Sequence, residues 1–392
     1  MRRFLGSVFG LRREERDLAL LMGAYHFLLL VTLYLLKPVR DSLFLSTRGP
    51  AELPYVFMLT TAVVVPVAVL HSRLANRMGL GALIDVVSLG LVLGLVGLRG
   101  LLGVGGEWVS YVLYAAVSIY GLLVTSQFWL LANGLFTSSQ SKRVFTALSA
   151  GAILGAVVGG EVTGLLVDEG SMSSENLLWV AGGVLFVSTL LERRIRTYYS
   201  RITGAELHGD FNSASTDAAG PFKTLRQSRH LRLIVGIVVL MVIVATFVDF
   251  QFKTVAVRAY PVEEDLTAFM GQFYGRVSVV ALLVQFVLAP WLLRVVGVGG
   301  ALSILPGALA LGSLGMLLMP GLLMGVLLRG AGQSLKHSVD KTGRELLFVP
   351  LSLEKKKRVK VFIDLFIDQG AEGLGGILLL VLVVGFGMDV QG

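Results

Sequence analysis

A chain of 392 residues that is 55% hydrophobic and 15% charged, with a mean hydropathy of +0.77, lacks the polar side chains to coat a water-soluble fold. It has no cysteine, which removes disulfides, thiolate metal sites and cysteine nucleophiles together, and its five histidines (His26, His71, His208, His230, His337) show no metal-ligand spacing. No Walker A run, HExxH or GxGxxG occurs among the 47 glycines, so no cofactor and no enzyme chemistry is implied.

Apolar windows at 18–36, 54–71, 80–102, 108–133, 144–167, 176–192, 231–252, 268–292, 298–319, 321–335 and 359–384 approach the roughly 20 residues a helix needs to cross a bilayer. They predict an all-α polytopic membrane protein with about eleven spans. Arg2, Arg3, Arg12, Arg13 and Arg16 precede the first span and no small-residue cleavage site follows it, so it reads as a retained anchor. It ends Lys37-Pro38-Val39-Arg40-Asp41. Pro38 has no N–H to continue a helix, so a break is expected there, delivering two cations and an acid towards the membrane centre or its outer edge. His26, in mid-span, reads as a helix-packing hydrogen bonder.

In the fifth span Gly151, Gly155 and Gly159 recur every four residues and line one helix face, where a neighbouring backbone can come close; Gly90 with Gly94 and Gly321 with Gly325 show the same spacing. Glu161, near the outer end of that span, is either a substrate or coupling group or simply exposed to water. Residues 193–230 are basic at both ends and rich in Ser, Ala and Gly in the middle, which predicts a cytoplasmic linker between an N-terminal six-helix bundle (1–192) and a C-terminal bundle of five helices (231–392). A gapless offset of 217 residues, pairing the segment from Lys142 with that from Val359, suggests duplication and an expected twelfth span that is missing.

The seventh span carries Asp249 and Lys253 one helical turn apart. Charge at that depth is expensive, so the two are candidate functional groups with each other as first partner. Arg276 stands well inside the eighth span. The tenth span and its exit bring Arg329, Gln333, Lys336, His337, Asp340, Lys341, Arg344 and Glu345. In the eleventh, Asp364, Asp368 and Glu372 recur every four residues on one face. Such like charges repel unless Lys336, Lys341 or Arg344 neutralises them or one is protonated, which makes them candidates for gating or coupling.

The net charge of +8 suits nucleic acid only if the bases cluster on one soluble face. With a cytoplasmic N-terminus, 26 of the 34 Lys and Arg fall on inside segments and six on outside loops. That is the positive-inside bias of a membrane protein, here expected in a bacterial-type inner membrane, and it needs no nucleic acid. Over a candidate cavity, basic groups in or at the ends of several spans (Lys37, Arg40, Lys253, Arg276, Arg329 and Lys336) outnumber the acids. An anionic small molecule is the expected ligand, and the Arg fork with the Lys point charge suits an organic phosphate. Trp129, Phe252, Phe273 and Tyr274 are candidates to stack a base, or ordinary packing.

These stretches resemble the ATP/ADP translocases of plastids and intracellular bacteria, a family with twelve spans and a major-facilitator-like, two-bundle fold. LKPVRDSL at 36–43 is similar to the family's LRDTKD segment, placing family positions on Arg40 and Asp41. FWLLANGLFTSSQSKRVF at 128–145 is similar to its FWxxAN and AKR loop. VDFQFKTVAVRAYPVEEDLTAFMGQF at 248–273 resembles its VEVxWK, FP and FMGxF run, which carries an acid onto Asp249 and a base onto Lys253. KHSVDKTGRELLFVPL at 336–351 resembles its KxS, KE and PL pattern, and Lys360 with Asp364 its KxxxD.

The resemblance implies nucleotide exchange with substrate contacts from Arg40, Asp41, Asp249, Lys253, Lys336 and Arg344, to which the charge pattern of the spans adds Lys37 and Arg276. Two departures bear on it: Val117 and Ile119 replace a family acid and Trp, and Lys37-Pro38 replaces a leading Arg-Asp. The alternatives are a major-facilitator carrier of another solute, proton-coupled through Asp364, Asp368 or Glu372, and a non-transporting membrane scaffold.

Overall fold

The computed structural model describes residues 13–168, 172–203, 225, 226, 228–340, 344, 347 and 362–385. Among the described residues, nine helices are long and apolar enough to cross a membrane. In chain order the helices are α1 (Arg13–Arg48), α2 (Leu53–Arg77), α3 (Leu80–Val104), α4 (Trp108–Leu135), α5 (Ser138–Asp168), α6 (Leu177–Thr203), α7 (Arg229–Ala259), α8 (Glu263–Leu283), α9 (Ala289–Val295), α10 (Gly297–Leu318), α11 (Leu322–Leu335) and α12 (Asp368–Leu380). The last two expected windows are helical over their described residues, with wider π turns at Lys336–Asp340 directly after α11 and at Ile363–Ile367 and Val381–Gly385 on either side of α12. A further π turn, Val284–Leu288, joins α8 to α9.

Two compact units emerge, each assembled from separated stretches. The first comprises residues 1–40, 70–211 and 267–275; the second comprises 41–69, 212–266 and 276–392.

In the first unit α5 lies against α1 along its glycine face. A Cβ added at Gly151 would stand 2.6 Å from Gly23 O, and one at Gly159 would stand 2.7 Å from Val31 O, so only a bare backbone permits the approach. The same helix receives the middle of α8, where a Cβ at Gly160 would meet Gly271 O at 2.5 Å. The matching spacing elsewhere does different work. Gly90 and Gly94 face open space on an exposed side of α3, and Gly321 has nothing near it, while Gly325 packs on the Val255 side chain.

The expected break at Pro38 does not occur, since α1 runs unbroken from Arg13 to Arg48. Pro38 lacks the N–H that would bond Tyr34 O one turn earlier, and the Thr163 hydroxyl of α5 lies 3.3 Å from that carbonyl while also donating to Gly159 O at 2.8 Å. Neighbouring hydroxyls commonly let proline sit inside a membrane helix in this way. His26 packs as expected: its Nδ1 lies 3.0 Å from Leu148 O and its ring stacks on Phe128 at 3.6 Å. The start of the expected linker is the end of α6, which continues to Thr203 because Arg196 bridges Glu192 (2.6 Å) one turn back and Asp85 of α3 (2.7 Å). Residues 204–224 of that segment, and 359–361 of the proposed repeat, lie outside the described residues.

In the second unit α7 is the central element, with α11 and α12 packed against it. Ser228 caps its start by accepting from Leu231 N, as a hydroxyl at that position does for an otherwise unpaired N–H. Small residues again set the approach: added Cβ atoms at Gly375 and Gly373 would meet Thr246 and Thr61 at 3.0 and 2.9 Å.

Candidate functional site

Two groups of membrane-embedded charge stand out, one in each unit. In the first, Lys37 and Arg40 are three residues apart and share a face of α1. The Lys37 ammonium lies 4.1 Å from the centroid of the Tyr274 ring and 5.9 Å from that of Tyr34, and the two rings meet edge to face. The Arg40 guanidinium lies 4.1 Å from the centroid of the Tyr114 ring, and its Nη1 donates to Ser118 Oγ at 3.3 Å. Ser118 in turn donates to Tyr114 O at 2.9 Å, so ring and hydroxyl come from one turn of α4 as a single rigid holder. Both rings are buried, where a cation over an aromatic face gains about 2 kcal/mol.

In the second unit Lys253 is the hub. Its side chain is 1% exposed, its ammonium lies 3.2 Å from Asp41 Oδ1 and 2.9 Å from Asp249 Oδ2, and the Phe57 ring covers it at 5.6 Å. Asp249 uses its other oxygen on Arg329 of α11, at 2.5 Å. Four charges from α1, α7 and α11 thus form one chain of ion pairs, which is the condition for keeping ions in a low-dielectric interior. Beyond Arg329, the π turn brings in Lys336, which lies within electrostatic reach of Asp368, Arg344, Arg329 and Glu372. Asp340 pairs with Arg344 at 2.9 Å. One oxygen of Asp368, Oδ1, is buried with no hydrogen-bond partner among the described residues. Widened turns of this kind are often found where helices carry functional groups.

The structure therefore brings together Asp41, Asp249 and Lys253, and separately Lys336, Arg344, Asp368 and Glu372. Arg276 is exposed. Asp364 stands in a π turn, its side chain outside the described residues, as are Lys341, Glu345, Pro350, Leu351 and Lys360. Of the aromatics considered for base stacking, Phe252, Phe273 and Tyr274 are packed into the interior, and the Tyr274 face is taken by Lys37. Sequence reasoning missed Tyr114 and Ser118 as partners of Arg40, and it placed Arg329 in the cavity without giving it Asp249. The pairing of Arg329 with Asp249 was open to inspection as a lone base in an apolar span; the tyrosine left no such signal.

Among the described residues the architecture is all-helical, and its fold is the major-facilitator-like one of the solved structures it matches. A crystal structure of a variant of the nucleoside transporter NupG matches with a TM-score of 0.70 at 11% identity, covering 95% of this chain and 93% of that one. The family model described as TLC ATP/ADP transporter matches residues 85–388, and the chain belongs to that family. Similar curated proteins include ADP,ATP carrier protein 1, chloroplastic, of Arabidopsis thaliana, 22% identical over 71% of this chain, and the plastidic ATP/ADP-transporter of Solanum tuberosum, 20% identical over 93% of it. The chain spans about half the length of the first (49%) and 67% of the second.

Proposed function

We propose that the protein exchanges nucleotides or related organic phosphate anions across a membrane by alternating access. The observation that carries this reading is the pair Lys37 and Arg40, two cations on one face of α1 held by rings and a hydroxyl, in a chain of the ATP/ADP transporter family. Arg40 supplies the planar fork that phosphate oxygens accept, Lys37 the point charge, and Arg276, Lys336 and Arg344 further positive charge. Asp41, Asp249 and Lys253, joined by their own ion pairs, are further candidate contacts for the anion. In the same reading the N-terminus is cytoplasmic, the membrane is a bacterial-type inner membrane, and 1–192 and 231–392 act as the two moving bundles joined by 193–230.

The test is counter-exchange in proteoliposomes preloaded with ADP. External labelled ATP should enter only when internal nucleotide is present, and Arg40→Gln should abolish uptake while folded protein remains. Absence of exchange with every nucleotide and sugar phosphate tried overturns the proposal. The unpartnered Asp368 oxygen beside Lys336 favours a second reading, a proton-coupled carrier of the same fold, and uptake driven by a pH gradient without internal substrate would select it.

A further inference from the structure

We infer that Tyr114, Ser118 and Tyr274 are positioning residues that aim the two α1 cations at a phosphate-bearing anion, a step that rests on the proposed transport function. The geometry is one of restraint. Arg40 has its guanidinium laid on the Tyr114 ring at 4.1 Å and one nitrogen on Ser118 Oγ at 3.3 Å. Because the Ser118 proton is committed to Tyr114 O, its lone pairs are what face Arg40, and the plane of the fork is fixed from two directions.

Lys37 is steadied by the Tyr274 face at 4.1 Å. Tyr274 precedes Gly275, where an added Cβ would meet Val157 O of α5 at 3.1 Å, so the ring is mounted on closely packed backbone. The stretch of α1 carrying both cations is held close to α5, where an added Cβ at Gly159 would meet Val31 O at 2.7 Å and Tyr34 Cβ at 3.0 Å.

The choice of partner has a chemical consequence. The whole of α4, Trp108–Leu135, contains no Asp, Glu, Lys or Arg. Whatever else Arg40 meets, the helix that orients it subtracts nothing from its charge, because a ring quadrupole and a hydroxyl attract a cation without neutralising it. Long cationic side chains carry about 2 kcal/mol of rotamer entropy, and holding them in advance leaves less of that for the ligand to supply. The ligand class is an anion with several phosphate oxygens, able to engage a fork and a point charge one helical turn apart.

The test uses the full chain in proteoliposomes with labelled ATP as probe, and reads KM separately from maximal rate. Tyr114→Leu and Tyr274→Leu should each raise KM roughly 10- to 30-fold, and Ser118→Ala about 10-fold, with maximal rate changed far less. Tyr114→Phe and Tyr274→Phe should recover most of the affinity that the Leu variants lose, because the ring face remains. Ser118→Ala, which changes little volume, keeps the test decisive where a Leu variant melts early.

Leu variants that fold and keep KM within two-fold, or Phe variants as weak as Leu, overturn the inference. Should the native chain take up no nucleotide, the proposed function fails, and thermal stabilisation by inorganic pyrophosphate then decides this inference alone. Stabilisation lost in Tyr114→Leu and regained in Tyr114→Phe upholds it, and native protein indifferent to pyrophosphate ends it.

Discussion

In the first unit Lys37 and Arg40 rest on tyrosine rings, and the helix holding Arg40 has no ionisable acid; in the second, Lys253 and Arg329 rest on the carboxylates of Asp41 and Asp249. The backbones differ in parallel. Among the described residues every π turn belongs to the second unit, while within the first α5 packs on α1 through a glycine face on regular helices. A ring face holds a cation without itself neutralising it. A cation between two buried carboxylates is committed to the fold, since removing either partner strands an ion in a medium that cannot solvate it. Chains that must both stand in a membrane and attract an anion have reason to use both devices.

The largest effect should come from breaking the carboxylate side. Asp249→Asn leaves Lys253 and Arg329 each short of a partner, and the expected destabilisation is about 3–5 kcal/mol, seen as a lower melting temperature and reduced folded yield. An Asn variant that melts normally and binds ATP but does not exchange would instead make Asp249 the moving member of the chain of ion pairs. One that also exchanges at the native rate would remove it from both roles.

A smaller loss should follow from filling the glycine face of the first unit. Gly159→Ala forces a Cβ against Val31 O and should cost about 1–3 kcal/mol in melting experiments. Gly90→Ala at the same helical spacing meets open space and should be neutral or slightly stabilising, as alanine is the better helix former. Equal effects at the two positions would mean that the contact with α1 is looser than described.

The smallest effect sharpens the account of α1. Thr163→Val removes the hydroxyl beside Tyr34 O and should cost about 1 kcal/mol. Pro38→Ala restores the missing N–H, so the same Thr163→Val change in that background should cost nothing measurable. A cost that is unchanged in the double variant would assign Thr163 to its other bond, to Gly159 O at 2.8 Å.

What was legible in the sequence follows the same division. Asp249 and Lys253 announced themselves because an ion pair four residues apart is local, and Asp41 and Arg329 were conspicuous as charges in apolar runs. The spans were legible for the same reason, apolar length being a local property. Gly151, Gly155 and Gly159 share their spacing with Gly90 and Gly94, and spacing reports which residues share a face but not what stands opposite. The Pro38 break was misjudged because the hydroxyl beside the freed carbonyl is 129 positions away along the chain. Tyr114 and Ser118 went unseen because a search for charge passes over a helix without any, although they lie 74 and 78 positions from Arg40 only along the chain.

The four groups Asp41, Lys253, Asp249 and Arg329 carry two negative and two positive charges, and this sum has an electrical meaning. Moving one elementary charge through a membrane potential changes the energy by about 2.3 kcal/mol per 100 mV. A set that sums to zero and moves as a body exchanges no such energy with the field, so this assembly can shift without responding to voltage. Any voltage sensitivity of this protein then reports on charges outside this quartet.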